Sequence, residues 1–176
     1  MNELLLKVKA ILSTTPSRWK SLAETLPVEL LTRPPAPKEW SALECLLHLL
    51  DTEQWVFPPR VQAFLAGRDL EAFNPDTQGI AMDANPWPDE IAASFARMRA
   101  RSLEALAQVA ETDLSRTARH SELGSVTLEQ MLHEWAAHDL VHTIQAERAV
   151  MQPFIAGSGP WRPYFADHDV DAKVHR

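Results

Sequence analysis

The sequence predicts an all-α chain folded as a four-helix bundle with one long crossover connection. Three observations lead there. Long segments repeat apolar residues at helical spacing, strand-like alternation is scarce, and only 5 of the 176 residues are glycine. With 45% apolar residues and a length within single-domain range, residues 1–176 read as one domain with a sizeable core.

The first helix is expected from about residue 2 to residue 26. Leu4, Val8, Ile11, Leu12, Thr15, Trp19, Leu22 and Leu26 fall on one stripe, and Pro16 should kink the helix or start a new turn. The stretch LPVELLTRPPAPKEW reads as a connection, because Pro34, Pro35 and Pro37 forbid a regular helix. A second helix opens at Ser41, where Ser41 and Glu44 form the S-x-x-E capping box. Its leucines surround much of the helix, so it should be central, and Pro58 and Pro59 should break it or restart it toward Gly67. Residues from about 68 to 87 are irregular and rich in Asn, Asp, Pro and Gly, a link long enough to be the crossover.

A third helix begins near Pro88, Asp89 and Glu90, with proline and acids where a helix start favours them. Its buried face should hold Ile91, Phe95, Met98, Leu106 and Val109, and HSELGSV follows as a turn. Thr127 and Gln130 suggest a second capping box, opening a fourth helix to about Val150. Residues 151–176 lack periodicity and read as an irregular tail packed on the bundle as an extended cover.

Net charge is −7, from 24 acidic and 17 basic residues, which argues against non-specific nucleic-acid or anionic-membrane binding. One cysteine, Cys45, permits no intrachain disulfide, and the chain reads as cytoplasmic. The start MNELLLKVKAIL is interrupted by Lys7 and Lys9 and does not read as a signal peptide, and no apolar stretch approaches the ~20 residues of a membrane span.

The fourth helix carries the most chemistry. At about 100° per residue, His138 and His142 project about 40° apart and can meet one ion, whereas His133 lies about 140° from His138. Leu128, Met131, Leu132 and Trp135 define the buried stripe, and His138 and His142 continue it. The pair is either a set of hydrogen-bonded core histidines or two ligands of a divalent metal that lacks a third. His48 is the leading candidate for that third ligand. It lies on a narrow polar strip of the second helix with Glu44, Asp51 and Trp55 at helical spacing, and periodicity leaves open whether the strip faces the bundle. His120, His133, His168 and His175 read as loop, surface or tail residues, with His120 the most equivocal because it directly precedes the fourth helix.

Two segments together resemble the DinB-like superfamily, the DNA-damage-inducible bundles that include YfiT-like metal-dependent hydrolases. EWSALECLLHLLDTE is similar to its W-S-x-x-E-x-x-x-H-L segment, and HSELGSVTLEQMLHEWAAHDLVHTIQ to its second signature, ending in H-D-x-x-H-x-x-Q. The resemblance covers roughly residues 4–145. It implies a four-helix bundle with an unusual crossover, often a homodimer. It also implies a divalent metal, nickel or zinc, held by three histidines that correspond here to His48, His138 and His142. Some relatives are thiol-dependent transferases or isomerases using bacillithiol, mycothiol or glutathione.

Three functions are therefore open: a hydrolase using water on a three-histidine metal, a thiol-dependent S-transferase or isomerase holding a thiolate there, or a metal- or partner-binding module without catalysis. Asp51 and Glu44 are the candidate catalytic helpers. Asp139 and Glu134 are expected to point elsewhere on their helix, as orienting or solvated groups. Arg97, Arg99 and Arg101 read as a solvated helix face that alternatively meets an anionic substrate, and Cys45 reads as packing.

Overall fold

A computed structural model describes residues 2–70, 72–73 and 87–173. Most of the expected crossover lies outside the described residues. Four long helices make the bundle: α1 (Glu3–Thr25), α3 (Ala42–Trp55), α5 (Pro88–Leu106) and α6 (Leu128–Gly157). Two shorter helices, α2 (Val28–Thr32) and α4 (Phe57–Leu65), lie in the connections. Helix α1 packs on α5 and α6, and α3 packs on the same two, so α1 and α3 are diagonal rather than adjacent. In that order the chain steps across the diagonal from α1 to α3 and again from α5 to α6.

Local chemistry explains the boundaries. Ser41 Oγ accepts from the Glu44 amide at 3.3 Å, and the Glu44 carboxylate accepts from the Ser41 amide at 2.7 Å. Thr127 and Gln130 repeat the box at the start of α6, with bonds of 3.2 and 2.9 Å. The chain breaks at Val56 and restarts with Pro58 in the first turn of α4, which ends before Gly67 at φ 64°. The proline-rich connection is less irregular than expected, since α2 forms within it ahead of Pro34.

Three further differences stand out. Pro16 does not divide α1, which is continuous around it. HSELGSV is turn only at residues 121–123, which join a small antiparallel hairpin, β1 (Thr117–His120) against β2 (Gly124–Thr127), whose four-residue strands are too short to show alternation. The tail is not extended. Helix α6 runs through Pro153 to Gly157 because Ile155 is buried, and 3₁₀ turns follow. Arg162 ties those turns to Asp169 and Asp171, while Arg148 and Gln152 both donate to the His168 carbonyl.

Two apolar clusters fill the bundle. One surrounds Phe57, Phe64 and Trp135, the other Trp19, Leu46 and Phe95. Among the described residues no helix is long and apolar enough to cross a membrane.

Candidate metal centre

Helix α3 presents His48, and α6 presents His138 and His142 one turn apart, onto one spot. The ligand atoms of the three rings lie within 4.8 Å of one another. His48, whose strip periodicity left unassigned, thus faces α6, while Trp55 of the same strip is exposed. His48 Nε2 and His138 Nε2 stand 3.1 Å apart. Neighbouring nitrogens around an ion with bonds of about 2.0–2.1 Å are separated by roughly 3.3 Å.

The surroundings keep these imidazoles neutral. Burial lowers His48 from its usual value to about 4, with the neighbouring His142 contributing. His138 is lowered to about 3, first by burial, then by His142, His48 and Arg99. Burial also lowers His142, against the opposing pull of Gln145 and Asp139. Neutral imidazole is the form that coordinates metal.

Gln145 sets the tautomer of His142. Its Oε1 lies 3.0 Å from His142 Nδ1 and can only accept, so Nδ1 carries the proton and the Nε2 lone pair is free. Trp40 stacks on His142 at 5.7 Å and tilts against His48 at 4.9 Å. Phe57 meets His138 edge-on at 5.1 Å while stacking on Trp135. His138 Nδ1 is buried without a hydrogen-bond partner. A direct bond between the two Nε2 atoms leaves the other lone pairs of this cluster unused, whereas one ion takes up a lone pair from each ring. The donor set fits a divalent metal.

His48 and His138 open onto a cavity of about 330 Å³ whose lining includes Thr52, Phe57, Arg60, His120 and Glu134. His142 and Trp40 border a separate, shallower depression with Gln145 and Arg148. His133 is exposed on the far face of α6, as its projection requires.

Other assignments need correction. Glu134 does not point away from the site: it lies one turn before His138 and lines the same cavity. His120 is likewise a cavity residue rather than a stray loop histidine. Glu44 is engaged in its capping box, and Asp51, although buried, is not among the cavity-lining residues. Cys45 is fully buried and its thiol is pushed up to about 12, chiefly by burial, which makes it a packing group.

Arg99 is the largest departure from expectation. Arg97 and Arg101 are exposed, but Arg99 is 1% exposed. Its Nε and Nη2 donate to Glu53 on α3 at 3.0 and 2.8 Å, and Nη1 and Nη2 donate to Asp139 on α6 at 2.6 and 3.0 Å. Nη1 also reaches the Leu12 carbonyl of α1 at 3.0 Å. That carbonyl is the one deprived of its helical donor by Pro16, which has no N–H. One guanidinium from α5 therefore joins all four long helices and supplies what the proline removes. It also lies over Phe95 at 4.8 Å and near Trp135 at 5.5 Å, one ring from each apolar cluster. Asp139, next in sequence to His138, anchors the helix that carries the histidine pair through this clasp.

With this geometry in hand, comparison with known proteins is decisive about the family. The DinB superfamily model matches residues 11–146. The chain belongs to the DinB superfamily. YfiT from Bacillus subtilis, a probable metal-dependent hydrolase with an unusual four-helix bundle topology, superposes with a TM-score of 0.74 at 17% identity, over 85% of this chain and 87% of that one. That likeness establishes the fold. Comparison with curated proteins gave no match.

Proposed function

We propose that this DinB-superfamily protein is a divalent-metal-dependent hydrolase, with nickel or zinc held by His48, His138 and His142. The observation that carries the proposal is the convergence of three neutral imidazoles on one spot, two of them lining a cavity. The YfiT fold supports it, since that protein is described as a probable metal-dependent hydrolase. A bound ion supplies Lewis acidity and a nucleophile from water near neutral pH.

The chain's own residues do the rest. Gln145 holds the proton on His142 Nδ1, Trp40 and Phe57 pack the rings, and the Arg99 clasp fixes α3 against α6. Glu134, one turn from His138 on the cavity rim, is placed to accept a proton at its carboxylate. Metal-loaded protein should hydrolyse members of an ester and amide panel, and chelator-stripped protein should not. Equal rates in the two preparations, or no turnover when fully loaded, would defeat the proposal.

The same reading includes a homodimer. Val141 and Ile144 on α6 are each 58% exposed, and Phe154 and Trp161 further along are 63% and 64% exposed. Sedimentation showing only monomer at all accessible concentrations would reject it.

A further inference from the structure

We infer that Arg60 and His120 form a carboxylate-binding subsite in the cavity beside the histidine triad, so that the enzyme's substrates carry a carboxylate near the bond it cleaves. The inference rests on the hydrolase reading for its second half only; the subsite follows from hydrogen-bond geometry.

His120 ends β1, and its Nδ1 lies 3.2 Å from the Glu122 amide and 3.4 Å from the Leu123 amide. Backbone amides only donate, so Nδ1 accepts, and the proton of the neutral ring sits on Nε2. Nε2 in turn lies 3.4 Å from Arg60 Nη2. A guanidinium nitrogen also only donates. Two donors therefore face each other with no acceptor between them. Arg60 Nε, on the same edge of the guanidinium, is buried and has no hydrogen-bond partner.

Elsewhere in this protein that edge grips a carboxylate. Nε and Nη2 of Arg99 hold Glu53, and Nε and Nη2 of Arg162 hold Asp169. Arg60 lines the cavity that it shares with His48 and His138, with its Nε closed off behind that wall. Burial disfavours its charge, while Glu134 favours it from α6. No ion pair joins Arg60 to a carboxylate among the described residues, and a ligand carboxylate would supply the acceptor missing between Arg60 Nη2 and His120 Nε2. The remaining walls include Val56, Phe57, Phe73 and Leu123, and about 330 Å³ is at the small end of ligand cavities. The fitting ligand is a small carboxylate with an apolar body.

The test uses metal-loaded protein and two probes of equal shape, phenylacetate and the neutral, non-hydrolysable ketone phenylacetone, titrated by calorimetry at fixed ionic strength. The acid should bind about ten-fold or more tightly than the ketone. Arg60→Gln should remove that preference with metal content unchanged, and His120→Phe should reduce it several-fold. Should Arg60→Gln fail to fold, Arg60→Lys, which keeps the charge and loses the fork, should show a reduced preference. Equal binding of the two probes by the native protein would overturn the inference. So would a preference that survives in a folded, metal-loaded Arg60→Gln, because the metal would then be the carboxylate's partner. Orthophosphate binding more tightly than phenylacetate through Arg60 would overturn the carboxylate assignment. Since binding is read without turnover, failure of the hydrolase proposal leaves this result interpretable, and hydrolysis of uncharged esters without acid preference would sink this inference alone.

Discussion

Replacing Arg99 by Met tests the clasp that sets α3 and α6, and hence the triad, in register. The substitution removes five hydrogen bonds: two to Glu53, two to Asp139 and one to the Leu12 carbonyl. It leaves two carboxylates, 0% and 1% exposed, facing each other without a cation. Breaking a buried ion pair by deleting one partner costs about 3–5 kcal/mol. Total stability for a domain is about 5–15 kcal/mol, so this single change uses up a large share of it. At roughly 2–4 °C per kcal/mol for a chain of this size, melting should fall by about 6–20 °C. Urea titration with circular dichroism detection measures the loss directly. The triple variant Arg99→Met, Glu53→Gln, Asp139→Asn should regain part of it, because no unpaired buried charge remains. A loss below about 1 kcal/mol for Arg99→Met would refute the reasoning, since that is the range of an exposed pair.

Other consequences are as direct. Gln145→Leu removes the acceptor that holds the proton on His142 Nδ1, and metal affinity should fall about 10–100-fold in a competitive chelator titration. Ser41→Ala deletes one half of the α3 cap and should cost about 0.5–2 kcal/mol by urea titration, with metal stoichiometry unchanged. The metal-free protein should lose stability in mild acid. His48 and His138 have folded values near 4 and 3, below the usual 6.5, so the unfolded chain binds protons first as pH falls. Their neutral burial is without penalty above about pH 6.5, and stability drops progressively from there toward pH 3. A flat urea midpoint for metal-free protein between pH 7 and pH 4 would contradict the burial of these rings.

What could be read in the sequence was local. Both capping boxes form as their spacing requires, because a box needs only residues three apart. The shared direction of His138 and His142 follows from helix geometry, and so does the exposure of His133. His48 was different. Its strip could have faced solvent, and only the family resemblance matched it to a metal-ligand position. The Arg99 clasp was illegible because its partners lie 40, 46 and 87 residues away, and an arginine flanked by Arg97 and Arg101 looks like a solvated row. The reach of Pro16 to Arg99 has no sequence signature at all. His120 and Glu134 were undervalued for another reason: a short hairpin and a helix rim meet at the cavity only once the chain is folded. The one available signal was the turn of helix from Glu134 to His138.

The central claim is that His48, His138 and His142 hold one ion. Elemental analysis after identical loading with zinc or nickel tests it most directly on four proteins: native, His138→Ala, His142→Ala and His133→Ala. The native chain and His133→Ala should carry one ion per chain, and the other two variants should lose most of it. Retention of the ion by His142→Ala together with its loss from His133→Ala, or an empty native protein, would contradict the account.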